Sequence, residues 1–177
     1  VGHDDVVAYM LENVPDFYAL AGGAQRSGVR FVCISSRLTA DETDYILENS
    51  GAKLFVLGGA LSAIAPQLSA KLERAGVDML YSSGTTGRPK GVRVPLPVDP
   101  AIDQQDALTM LAMGLYRFNK DSVYLSPAPL YHAAPLRWSM RLHKIGGTVV
   151  VMKKFDPEGV LAAIEKCKVT CGQYVPT

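Results

Sequence analysis

Short apolar runs alternate with helix-patterned segments along this chain, and that alternation restricts the fold more than any single residue does. Asp5-Val-Val-Ala-Tyr-Met-Leu11 reads as a strand, and Pro15 opens a helix running toward Gly28. Val29 to Ile34 is a second strand. Thr39-Ala-Asp-Glu42 has the spacing of a capping box, and Gly51 stops the helix it starts. Lys53 to Leu57 is a third strand, Leu61, Ile64, Leu68 and Leu72 form a helical stripe, and Val77-Asp-Met-Leu-Tyr81 is a fourth strand. Parallel neighbours need a crossover segment between them, so this order predicts an α/β fold with a mostly parallel sheet flanked by helices.

The alternation resumes after Val94-Pro-Leu-Pro-Val-Asp-Pro100, an extended connector. Ala107 to Tyr116 is a predicted helix, Ser122 to Ser126 a strand, Leu136 to Ile145 a helix and Thr148 to Met152 a strand. Asp156 caps a further helix with Pro157 in its first position and Val160, Leu161 and Ile164 on its apolar face. Val169 to Val175 reads as the last strand. Residues 1–92 thus hold one set of βα units and 105–177 another.

The first set ends in Tyr81-Ser-Ser-Gly-Thr-Thr-Gly-Arg-Pro-Lys-Gly91, which puts four Ser/Thr hydroxyls, three glycines and one lysine into eleven positions. It is not a Walker A loop: Pro89 stands where the second glycine belongs and Gly91 where a Ser/Thr should follow the lysine. The chemistry still suits an anion. Glycines let backbone N–H groups come close, hydroxyls add donors and Lys90 adds a point charge. The other reading is a plain surface turn. Position favours the anion, because the stretch follows a strand and ligands bind at the carboxyl ends of strands in open α/β sheets.

Composition narrows the class. At 177 residues the chain suits one domain with a proper core, and 18 Lys plus Arg against 17 acids leave a net charge of +1. That balance argues against a nucleic-acid partner. No apolar run reaches the length of a transmembrane helix, and the start lacks the pattern of a signal peptide. Three cysteines, an odd number, point to a reducing, cytoplasmic compartment. Cys33 sits in an apolar strand and is expected to be buried. Cys167 and Cys171 lack a second Cys/His pair at zinc spacing.

Met79-Leu-Tyr-Ser-Ser-Gly-Thr-Thr-Gly-Arg-Pro-Lys-Gly91 resembles the phosphate-binding signature of the adenylate-forming, or AMP-binding, superfamily. Val7 to Asn13, Ser36 to Ala40, Tyr45 to Ala52, Pro127-Ala-Pro-Leu-Tyr-His-Ala133, Gly146 to Val150, Lys154 to Pro157 and Val175-Pro-Thr177 are similar to other family segments. Two features depart from the family pattern. The segment between Leu57 and the signature is short, and Arg93-Val-Pro-Leu-Pro97 replaces a frequent Thr-His pair.

The resemblance implies a partial N-terminal AMP-binding domain over residues 1–177, with the C-terminal domain absent and the chain by itself inactive. It implies ATP, Mg2+ and coenzyme A as cofactors and co-substrate, and a carboxylic acid as the other substrate. Ser82, Ser83, Gly84, Thr85, Thr86, Gly87 and Lys90 would bind the phosphates, with the Thr85 hydroxyl near the metal. Lys90 and His132 are the implied catalytic residues, His132 orienting the carboxylate or closing the acyl pocket. Tyr131, Trp138 and Met140 either line an acyl channel or belong to the core. The preferred activity is an acyl-CoA synthetase for a fatty or similar apolar acid. Another adenylating enzyme (an aryl-CoA ligase or a peptide-synthetase adenylation domain) and a non-catalytic nucleotide-binding fragment are the alternatives. A sheet cut short would expose an edge or apolar face, so self-association into a homo-oligomer is also expected.

Overall fold

The computed structural model describes residues 1–2, 4–59, 79–82, 90–93 and 106–174. The expected helix over 61–72, the first residues of the strand at Val77, the 94–100 connector and the strand end at Val175 lie outside these residues. The chain divides into two compact units, Val1–Glu12 with Asp16–Ile102, and Asn13–Pro15 with Asp103–Thr177.

In the first unit, β1 (Val6–Met10), α1 (Asp16–Arg26), β2 (Arg30–Cys33), α2 (Ala40–Ser50) and β3 (Ala52–Leu57) follow one another. The strands are parallel in the order β2-β1-β3, with Ala8 opposite Val32 on one side and Phe55 on the other. All five residues of β1 are buried, which explains why the strand is a continuous apolar run without polar alternation. Val32 and Ile34 meet Ile46 and Leu47 of α2 in the same core, and Cys33 is buried as expected. The capping box at α2 is complete: the Thr39 hydroxyl accepts from the Glu42 N–H, and the Glu42 carboxylate accepts from the Thr39 N–H. Gly51 ends the helix at φ 66°, a left-handed conformation that glycine adopts without a Cβ clash.

Two further strands were not both foreseen. β4 (Met79–Ser82) matches the expected fourth strand, but it pairs with β5 (Lys90–Arg93) in an antiparallel ladder. The second of these takes in Lys90 and Gly91, read as the end of the hydroxyl-rich stretch, with Val92 and Arg93, which lie before the connector, and is only four residues long. A strand that short carries no detectable alternation.

The second unit contains α3 (Ala107–Gly114), β6 (Val123–Ser126), α4 (Ala133–Ile145), β7 (Thr148–Val151), α5 (Pro157–Cys167) and β8 (Cys171–Gly172). Its parallel order, β7-β6-β8, repeats the arrangement of the first unit: the earliest strand is central and the next two flank it. Ala112, Phe118, Tyr124 and Leu142 form its core, and Trp138 packs edge-on against Phe118. Trp138 therefore belongs to the core reading considered above.

Two boundaries and one helix face differ most from expectation. α4 starts three residues before Leu136, because Pro135 falls in the first helical turn, where an N–H has no intrahelical partner to lose. β8 shrinks to two residues, paired with Tyr124 and Leu125 of β6. On α5, Val160 is buried but Leu161 is 68% exposed. Adjacent helical residues lie about 100° apart, so the two cannot share one face.

Gly147 shows how tightly α4 and β7 join. A Cβ there would lie 2.7 Å from Leu142 Cγ and 2.9 Å from the Ser122 carbonyl oxygen. Gly147→Ala should destabilise the fold by about 1–3 kcal/mol, the usual range for overpacking. At Gly23, in α1, a Cβ would meet nothing within 4 Å beyond its chain neighbours and the backbone of its own helix. Gly23→Ala should stabilise by about 0.5–1 kcal/mol. Urea unfolding of the two variants checks both signs.

Candidate functional site

β4 and β5 bring two of the sequence-selected residues together. Their ladder runs Met79↔Arg93, Leu80↔Val92, Tyr81↔Gly91 and Ser82↔Lys90, so Ser82 and Lys90 are its closing cross-strand pair. Residues 83–89 join those two positions. Ser83, Gly84, Thr85, Thr86 and Gly87 lie outside the described residues. The ladder is anchored at Tyr81, whose hydroxyl donates to Asn49 Oδ1 at 2.7 Å and whose ring packs on the first unit's core. Burial, with a smaller contribution from nearby Tyr45, pushes the Tyr81 hydroxyl up to about 12, so it remains a neutral donor.

His132 stands in the second unit, at the N-cap of α4 with φ −81° and ψ 143°. Its ring is exposed and does not cap the helix; it lies 4.5 Å from the half-buried Tyr131 ring, centroid to centroid. No acid occupies the first turn of α4, while His143 and Lys144 occupy the last. The positive end of the helix dipole is thus left uncompensated by its own first turn beside His132, an arrangement that favours an anion.

Topology adds weight to this position. In a sheet whose first strand is central, the chain switches direction between that strand and the third, and ligands gather outside the carboxyl ends there. The loop leaving β6, Pro127-Ala-Pro-Leu-Tyr131, borders that switch point in the second unit. Prolines 127 and 129 remove two of the loop's own N–H donors, so its backbone is fastened from elsewhere. Asn13 does this: its Oδ1 accepts from the Leu130 N–H at 2.8 Å, and its Nδ2 donates to the carbonyls of Met152 at 2.6 Å and Ala128 at 3.3 Å. Sequence reading missed Asn13. It looks like an ordinary turn residue between a strand and Pro15, and partners more than a hundred positions away leave no local signal.

Asp106 fixes the other flank of α4. It caps α3 by accepting from the Thr109 N–H at 2.9 Å, and Arg141 of α4 donates to its second oxygen at 3.1 Å. Partial burial works against ionisation, but the Thr109 and Arg141 contacts outweigh it and hold the carboxyl below its ordinary 3.8. Among the described residues, no group of three or more His, Cys, Asp or Glu could hold a metal ion. None of the helices there is long and apolar enough to cross a membrane.

These elements define an α/β protein with its candidate groups at strand ends. The chain belongs to the AMP-binding enzyme family, whose model matches residues 1–78 and 77–177. It is 30% identical over 207 positions to a feruloyl-CoA synthase of an Amycolatopsis species, covering 98% of this chain and 39% of that protein. It is 27% identical to a long-chain-fatty-acid–CoA ligase of Mycobacterium tuberculosis, covering 99% of this chain and 40% of the relative. The chain therefore spans about two fifths of the curated relatives' length. Among solved structures, o-succinylbenzoate CoA synthetase of Bacillus subtilis, bound to its acyl-adenylate intermediate, matches with a TM-score of 0.74 and 21% identity over 97% of this chain and 49% of that one.

The depressed Asp106 carboxyl makes a stability prediction with a definite sign. A folded pKa below the unfolded one contributes stability that is present above the ordinary value and lost as pH falls through the folded one. Asp106→Asn keeps the cap but not the charge. The native-minus-variant difference in stability should therefore shrink as pH is lowered from roughly 5 to 2. Thermal melts across that window test it, and a constant difference would deny the ion pair a role.

Proposed function

We propose that the protein carrying this chain is an ATP-dependent acyl-CoA synthetase that activates a fatty or similar apolar carboxylic acid. A carboxylate oxygen attacks the α-phosphorus of ATP, the bond to the bridging oxygen breaks, and pyrophosphate leaves. The thiol sulfur of coenzyme A then attacks the acyl carbon, its proton is lost to solvent or a base, and AMP leaves. The observation that carries this reading is the family match along residues 1–78 and 77–177, which takes in both the hydroxyl-rich loop and the His132 segment.

Charge grows on the α-phosphate and on the departing pyrophosphate, so fixed donors are the main catalytic need. The hydroxyls of Ser82, Ser83, Thr85 and Thr86 and the amides of Gly84 and Gly87 are suited to that work, with Lys90 supplying a cation. The cross-strand pairing of Ser82 and Lys90 supports it, because it ties the two ends of the loop to one ladder. Thr85 is the residue that would hold Mg2+, which neutralises phosphate charge when bound. His132, beside the uncompensated N-terminus of α4, would orient the substrate carboxylate.

An aryl acid is the second reading, favoured by the similarity to a feruloyl-CoA synthase. A cytoplasmic location is also proposed. It is supported by cysteines 33, 167 and 171, none of which forms a disulfide.

Acid-dependent exchange of pyrophosphate into ATP by the complete protein tests the proposal. Long-chain fatty acids should support exchange better than ferulic acid; the reverse order would select the aryl reading. Lys90→Ala should lower exchange roughly 10- to 100-fold by removing a charge-assisted phosphate contact. His132→Ala should lower kcat/KM for the acid without moving the melting curve. Full activity in both variants would remove these residues from the site.

A further inference from the structure

Asn13 has a carboxamide engaged on both of its ends by groups far away in sequence. The Leu130 N–H points at Oδ1, which fixes the orientation of the amide and leaves both Nδ2 hydrogens for carbonyl acceptors. Those acceptors are Met152, directly after β7, and Ala128, two residues after β6. One side chain thus ties together the carboxyl ends of two adjacent parallel strands. It also bonds the loop at the residue two positions before His132.

The loop's own backbone offers few donors. Two of its five residues are prolines, and the His132 N–H turns back to the Pro129 carbonyl at 3.2 Å. Leu130 is 1% exposed, so its side chain and its N–H are fixed by separate contacts. The step from Leu130 to His132 is therefore a short turn with one end pinned and the other entering α4. No residue but asparagine offers one acceptor and two donors on so short a stem. Aspartate would set a carboxylate against two carbonyl oxygens, and leucine would leave all three backbone groups without this partner.

We propose that Asn13 is a positioning residue for His132: its carboxamide clamps the 127–131 loop and so fixes the site at which the substrate carboxylate is held. The proposal rests on the role given to His132 above. Asn13 acts through the loop and touches neither substrate nor phosphate. Asn13–Pro15 cluster with Asp103–Thr177, so the clamp is internal to the second unit.

The test uses the complete protein and two kinds of readout. Asn13→Ala should raise hydrogen exchange in the peptide spanning 128–132, and it should lower kcat/KM for the acid by ~10- to 100-fold, the scale expected of a small misplacement. KM for ATP should stay within about twofold. In a His132→Ala background, the same change should cost less than about twofold, since residues acting through one another are not additive. Losses that multiply, an equal loss for ATP, or unchanged exchange would each overturn the proposal. Should Asn13→Ala fail to fold, Asn13→Asp takes its place. The introduced carboxyl regains a donor on protonation, so its kcat/KM relative to the native protein should rise as pH falls, and a flat ratio would count against the clamp. If the native protein activates no carboxylic acid at all, the functional reading fails, and the exchange result alone decides whether Asn13 holds the loop.

Discussion

Parallel strands cannot be joined by a tight turn, and both units of this chain are organised by that constraint. Each return to the starting edge needs a crossover, and the crossover helix covers a face of the sheet. The central strand is then buried on both sides, as β1 is over all five of its residues. The same constraint collects strand ends at one edge. The β6 loop with His132 leaves from such an end, beside the ends of its parallel partners. Chemistry can be placed there without disturbing the core beneath, because the loop carries the polar groups and the strands carry the packing.

A loop at a strand end still has to be held. Here the sequence uses prolines, which stiffen the backbone but remove donors, and a single distant carboxamide that satisfies groups from two strand ends. The β4–β5 ladder serves the other segment differently. It closes on Ser82 and Lys90, so the chain leaves and re-enters a fixed ladder at those two positions. Both devices set backbone positions by hydrogen bonds, and the polar side chains start from there.

Local signals were readable wherever their cause was local. Thr39 and Glu42 form their reciprocal bonds across a single helical turn, and Asp156 accepts from the Gly159 N–H in the same way. The apolar runs of β1 and β2 needed no tertiary knowledge either. What escaped was set at a distance. Pro135 looked like the residue before a helix and instead sits within its first turn. β5 is a strand only because β4 pairs with it, and β8 is limited to two residues by the partner it meets on β6. For the site, resemblance pointed to Lys90 and His132, whereas Asn13 became visible only when its three partners were brought to it.

Everything proposed for the site depends on a carboxylate being joined to the adenylyl group of ATP. An acid labelled with oxygen-18 in both carboxylate positions, incubated with ATP, coenzyme A and the complete protein, tests this through the mass of the nucleotide product. Attack at the α-phosphorus leaves a labelled oxygen in AMP once the acyl group has been transferred. AMP carrying a single label, with unlabelled pyrophosphate, is the expected outcome. Label in inorganic phosphate together with ADP, or acyl-CoA formed alongside unlabelled AMP, would show that the acid is activated by another route.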